Sequence, residues 1–256
     1  VSQEISYTLP VSGSPSRIAY FEESSLAVIV THPWGPIGGN MKNNVVVNVV
    51  KFFQRLKVTT MRFDFCGTQI GRGYSQIEQV KEGANVLLKG NFLSASQPNH
   101  LPKHILLVGY SYGSIICASA TASIPECIGM IWIAPPLGVR RWLYLFAGNT
   151  HLEQARKRPD LPQLMIMGSK DDFTSETEFE KVVNTMPEAT SSVLLKGSNH
   201  FFASDRSAKS LLAAIERWLI DVYPLPDGDI KGLNSCDVPP VAMPDGETPP
   251  SGSCLG

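Results

Sequence analysis

The chain has 256 residues, a formal net charge of −1 and a hydrophobic content of 43%. That suits one large α/β domain or two small ones, with ample length to bury a core. The near-neutral total provides no basic field for nucleic acid and no pull toward an anionic membrane, leaving a small molecule or a protein as partner.

Taken in chain order, "EISYTLP" and "RIAYFEE" read as an antiparallel pair around the turn signal "SGSPS". "LAVIVTH" (26–32) is a nearly continuous Val/Ile run, the pattern of a strand buried on both faces. From Met41 to Leu56 the residues Val45, Val46, Val49, Phe52, Phe53 and Leu56 recur at helical spacing. Strand "TTMRFDF" (59–65), helix "SQIEQVKEGANVLL" (75–88) and strand "HILLVGY" (104–110) follow, and a helix carrying Ile115, Ile116, Ala118 and Ala120 comes after Ser111. Strand "CIGMIWIA" (127–134), an irregular segment, strand "QLMIMG" (163–168), helix "SETEFEKVVNTM" (175–186), strand "SSVLLKG" (191–197) and the amphipathic helix "SAKSLLAAIERWLIDVY" (207–223) complete the series. Repeated strand–helix–strand units with right-handed crossovers predict a mostly parallel sheet of about eight strands, with helices on both faces. The expected domain spans 1–223. Residues 224–256 turn rich in Pro, Gly and acid, a composition expected to stay disordered.

The five cysteines, Cys66, Cys117, Cys127, Cys236 and Cys254, are odd in number and show no C-x-x-C spacing for a metal or redox couple. The start "VSQEISYTLP" lacks the basic and apolar regions of a signal peptide, and no apolar run is long enough to span a bilayer. A cytoplasmic location without an integral membrane segment is the expectation.

In a parallel sheet, ligands bind beyond the C-terminal strand ends. There, Gly109-Tyr110-Ser111-Tyr112-Gly113 fits G-x-S-x-G between a strand and a helix, the context of a nucleophile elbow. A serine needs a base, and the base an orienting acid. "GSKDD" after strand 163–168 offers Asp171 or Asp172, G-x-x-D spacing favouring Asp171, and "GSNHFF" after strand 191–197 offers His200. His100, His104 and His151 have no comparable position. A pair of backbone N–H groups must also hold an oxyanion. Tyr112, following the serine, supplies one. In "HPWGPIGGN" Pro33 and Pro36 have no N–H, so Trp34 is the first candidate for the other and Gly35 the next. His32 reads as a brace for that loop and Asp64 as a loop-fixing carboxylate. "GGNMKNN" lacks the G-K-[ST] ending of a phosphate loop.

Over nearly all of residues 1–223 the chain resembles the α/β-hydrolase superfamily. It is nearest to a family of small, largely uncharacterised hydrolases with an HP…GG…N segment, RF-x-F-x-G, the elbow, G-x-x-D and a late His. Here these read "HPWGPIGGNMKN", "MRFDFCGTQIGRGYS", "GYSYGS", "GSKDDFTS" and "GSNHFF". The resemblance implies Ser111 as nucleophile, Asp171 as acid and His200 as base, acting on a carboxylic ester or thioester with no metal or organic cofactor. The family usually has Arg where Cys66 stands and a tighter G-x-G-x-S, departures that bear on specificity. A short cap is expected at about 135–162, where Trp142-Leu143-Tyr144-Leu145-Phe146 either lines an acyl pocket or packs into the core. His32, Gly35, Trp142 and Phe201 are the substrate-side candidates. The competing readings are a non-catalytic scaffold of the same fold and a peptidase or amidase using the same residues.

Overall fold

A computed structural model describes residues 4–93, 100–145 and 147–222. Eight strands form one sheet: β1 (Ile5–Thr8), β2 (Pro15–Ala19), β3 (Leu26–Thr31), β4 (Thr59–Phe63), β5 (His104–Tyr110), β6 (Cys127–Ile133), β7 (Gln163–Lys170) and β8 (Thr190–Asn199). Their spatial order is β1-β2-β4-β3-β5-β6-β7-β8. β1 and β2 pair antiparallel, as do β2 and β4, and every other pairing is parallel.

The helices are α1 (Asn44–Arg55), α2 (Tyr74–Lys89), α3 (Tyr112–Ala120), α4 (Arg140–Leu143), α5 (Gly148–Ala155), α6 (Glu176–Val183) and α7 (Asp205–Val222). Successive strand residues face opposite sides, so the continuous apolar runs feed two cores. Val28, Val30, Leu106, Val108, Ile131 and Ile166 pack under α1 and α7. Ile29, Leu107, Met130, Trp132 and Met165 pack under α2, α3, α5 and α6. The central strands β3, β5, β6 and β7 are thereby buried on both faces, as their composition requires, while the edge strands β1 and β8 are largely open.

Several boundaries differ from the sequence reading, and three of them, in α6, β7 and β8, have a local feature beside them. α6 ends at Val183 rather than 186, because Pro187 disfavours helical backbone at the residue before it. Its start is fixed by Ser175, whose Oγ accepts from the Glu178 N–H at 3.2 Å. β7 and β8 run past the expected ends at 168 and 197, with a register shift between Gly168 and Lys170. Such an irregularity re-aims the residues that follow it, and here they include Asp171 and His200.

The segment 135–162 carries α4 and α5. Tyr144 and His151 are fully buried against α3, while Trp142 and Leu145 are exposed. The aromatic run thus divides between core and surface; Phe146 lies outside the described residues, as does the Pro/Gly-rich stretch 224–256 with Cys236 and Cys254. Cys117 and Cys127 are buried free thiols, and burial pushes Cys117 up to about 12 and Cys127 up to about 11.

Candidate active site

β5 delivers Ser111 in a backbone conformation, φ 52° and ψ −119°, that a non-glycine residue rarely adopts. The strain is held by its surroundings. The Ser111 N–H donates to Ile133 O at 2.8 Å, and its carbonyl accepts from both the N–H and the hydroxyl of Ser114 at 2.9 and 2.6 Å. The glycines on either side permit this turn. A β-carbon on Gly109 would lie 2.3 Å from the Ser114 Cα, and one on Gly113 would lie 2.7 Å from the His32 carbonyl. Elbow and "HPWG" loop therefore touch backbone to backbone.

On one side of Ser111, His200 Nε2 stands 2.9 Å from Ser111 Oγ, and its Nδ1 stands 2.7 Å from Asp171 Oδ2. The carboxylate's other oxygen accepts from the N–H groups of Phe173 (2.8 Å) and Thr174 (3.1 Å). Of the two aspartates left open by the sequence, Asp171 is the one that meets the imidazole; Asp172 is exposed. Both Asp171 and His200 side chains are withdrawn from solvent, which strengthens their mutual attraction. Three further contacts position the ring. Tyr110 donates its hydroxyl to His200 O at 3.1 Å, its phenol held protonated by burial and by the Asp171 charge. The Phe173 ring packs 4.4 Å from the imidazole, and Phe201 packs 5.5 Å from it. Thr174 then ties the acid's loop to the β6 side, donating to Pro135 O and accepting from Leu137 N.

On the other side lies the loop 32–40. His32 is buried and uses both ring nitrogens on backbone: Nε2 accepts from the Phe65 N–H at 2.9 Å, so Nδ1 carries the proton and donates to Pro33 O at 2.6 Å. Burial lowers its pKa, keeping it in that neutral form. The ring thus braces the loop and has no nitrogen left for substrate. Asp64 and Arg62 hold the loop's far end: Met41 N–H donates to Asp64 Oδ1 at 2.6 Å, and Met41 O accepts from Arg62 at 2.8 Å. Gly35 gives its N–H to Gln69 Oε1 at 2.8 Å, and the Trp34 indole donates to Gln69 O at 2.9 Å. With Gly35 engaged, Trp34 remains the donor candidate in this loop. Tyr112 is the first residue of α3, where N–H groups lack partners within the helix. Its ring stacks on Tyr144 at 4.9 Å, and the Tyr144 hydroxyl donates to Tyr112 O at 2.6 Å. Trp142 meets Trp34 edge-on at 5.6 Å.

The braces Gln69, Thr174 and Tyr144 had no signal of that role in the sequence. Each lies in a segment that the sequence marks, but acts through a contact between residues more than thirty apart, which no motif specifies. Among the described residues, no group of three or more His, Cys, Asp or Glu side chains could hold a metal ion. No described helix is long and apolar enough to cross a membrane.

This architecture, an eight-stranded mostly parallel sheet with an elbow after its central strand, is the α/β-hydrolase fold. Among solved structures, a protein of unknown function from Agrobacterium tumefaciens has a TM-score of 0.67 at 23% identity, covering 88% of this chain and 100% of its own. An α/β serine hydrolase without a lid from Xanthomonas campestris has 0.65 at 22%, covering 88% and 96%. An esterase from Pyrococcus furiosus has 0.64 at 16%, covering 86% and 91%. No protein-family model matches the chain, and no curated protein matches its sequence.

Proposed function

We propose that the protein is a serine hydrolase that cleaves carboxylic esters or thioesters through an acyl-enzyme. The observation that carries this reading is the unbroken hydrogen-bonded line from Ser111 Oγ through His200 to Asp171, at 2.9 and 2.7 Å, starting from a strained elbow. A strained residue in such company is a functional signal rather than a packing accident.

In this mechanism Ser111 Oγ attacks the carbonyl carbon as His200 Nε2 takes its proton. Asp171 holds Nδ1–H and stabilises the imidazolium. The Trp34 and Tyr112 N–H groups receive the negative oxygen of the tetrahedral intermediate. Its collapse breaks the bond to the leaving alcohol or thiol, which departs with the proton from Nε2. Water then attacks the acyl-enzyme, gives a proton to Nε2, and a second collapse releases the carboxylic acid as that proton returns to Ser111.

Replacing Ser111 by Ala should abolish turnover of a soluble ester and covalent labelling by a fluorophosphonate, with an unchanged thermal transition. Full esterase activity in the Ser111→Ala protein would refute the mechanism, and an unlabelled, inactive wild type would refute the function.

A further inference from the structure

α3 is buried along its whole length, so a hydroxyl on it is costly unless it is bonded. At the end away from the elbow, Ser119 Oγ meets His151, and Thr121 Oγ1 donates to Ala118 O at 2.7 Å. Ser114 differs in what it reaches. Its side chain has no exposed surface, and its hydroxyl donates to Ser111 O at 2.6 Å, beside the bond from its own N–H at 2.9 Å.

Ser111 O and the Tyr112 N–H belong to one peptide group. That group is planar and trans, so its C=O and N–H point in opposite directions, and aiming one aims the other. The plane is set by Ser111 ψ, −119°, in a conformation that a serine rarely holds unaided. Two donors from one residue fix that plane at its carbonyl end. They also draw electron density toward the oxygen, which makes the N–H across the bond a stronger donor. Ser114 is itself held in place. A β-carbon on Gly109 would lie 2.3 Å from its Cα and 2.6 Å from its N, so β5 and the first turn of α3 meet backbone to backbone.

We propose that Ser114 is a positioning residue for the oxyanion. Its hydroxyl aims and polarises the Ser111–Tyr112 peptide, and so sets how strongly the Tyr112 N–H meets the negative oxygen as it forms. This rests on the proposed hydrolase function. The charge exists only in the tetrahedral intermediate and the transition states around it, so the hydroxyl acts on kcat and leaves binding of the intact ester alone. A hydroxyl that only satisfies itself on the preceding turn of a helix is what Thr121 displays at the other end.

The test compares the two hydroxyls. Ser114→Ala removes one while the residue 114 N–H stays on the carbonyl, and alanine suits a helix, so the thermal transition should stay close to that of wild type. On a soluble ester its kcat should fall about tenfold with KM unchanged, less than loss of a whole donor would cost. Ser114→Cys, which keeps nearly the same volume with a weaker donor, should lie between the two. A trifluoromethyl ketone reads the oxyanion directly: Ser111 Oγ adds to the ketone carbon, its proton passes to His200, and the former carbonyl oxygen takes the negative charge. Its inhibition constant should weaken by the same factor as kcat/KM. Thr121→Val removes the same kind of bond from the far end of α3 and should leave both quantities within about twofold. Wild-type kcat in Ser114→Ala and Ser114→Cys, a loss confined to KM, or an equal loss in Thr121→Val would overturn the positioning role while the hydrolase stands. A wild type that neither turns over esters nor takes up the ketone would refute the hydrolase reading, and the positioning role with it.

Discussion

The two sides of Ser111 are assembled differently. The acid–base side comes from β7 and β8, neighbouring strands in the sheet, and its partners sit within a few residues of the strand ends: Asp171, Phe173 and Thr174 in one loop, His200 and Phe201 in the other. The side proposed to hold the oxyanion comes from the β3 loop, and its braces arrive from elsewhere in the chain: Phe65 on His32, Gln69 on Gly35 and Trp34, Arg62 and Asp64 on Met41. One side is a short circuit of charge-assisted bonds. The other is a loop with two prolines and a tight turn of its own at Gly35–Ile37, tied to the rest of the molecule by the segment 62–69. In the proposed mechanism the first side works through individual atoms, whereas the second works through the fit between two loops.

The sharpest break of the first side is Asp171→Asn. It preserves size but removes the charge that holds Nδ1–H and stabilises the imidazolium, and kcat should fall by about ten-thousandfold. Asp172→Asn, one residue on and exposed, should leave kcat within about twofold. Steady-state rates on a soluble ester decide between them, and equal losses would sink the assignment. On the second side the effects should be smaller and graded. His32→Phe keeps a ring in the buried site but leaves the Phe65 N–H without its acceptor and frees Pro33. With one oxyanion donor misplaced, kcat should drop about a hundredfold with KM little changed. Gln69→Ala releases the Gly35 N–H, while the indole keeps the main-chain carbonyl of residue 69, and should cost about tenfold in kcat. If Gln69→Ala proved as damaging as Asp171→Asn, the distinction between the two sides would fail.

The same distinction explains what could be read from the sequence. β-rich runs alternating with amphipathic helices gave the sheet and its layers, because burial on both faces leaves a continuous apolar trace in strands such as "LAVIVTH". Ser111, Asp171 and His200 were legible because each directly follows a strand, so chain order carries spatial order. Gln69 was not, since nothing in "GTQIGRGYS" distinguishes a glutamine that binds a backbone 34 residues earlier from one that faces water. His32 reads from the sequence as a brace and as a substrate-side candidate, and the fold supplies partners for both its ring nitrogens in the first role. Arg62 and Asp64 lay inside a visible motif, yet their common target, the Met41 peptide, required the fold. Trp142 and Tyr144, two residues apart, could not be told apart by pattern; one lies on the surface, while the other is buried under α3.

The acid range offers the smallest effect and a further separation of the two sides. The segment 65–72 is held at both ends by buried neutral histidines: His32 accepts from Phe65, and His151 donates from Nε2 to Arg72 O at 2.6 Å while its Nδ1 faces Ser119 Oγ at 3.1 Å. Burial lowers the pKa of each. The unfolded chain therefore takes up these protons at a higher pH than the folded one. The stability they contribute is fully present above about pH 6.5 and is lost as pH falls below it toward the lowered folded values. Each histidine limits the loss to about 1.4 kcal/mol per pH unit. For His32 a proton on Nε2 would also oppose the Phe65 N–H, donor against donor, so the oxyanion loop should loosen before the whole domain melts. Denaturant midpoints for wild type and His151→Gln, measured from neutral to mildly acidic pH, test this directly. The wild-type curve should fall more steeply with acid than that of the variant. Parallel curves would show that His151 carries no buried-histidine linkage, and the acid sensitivity of the segment would then rest on His32 alone.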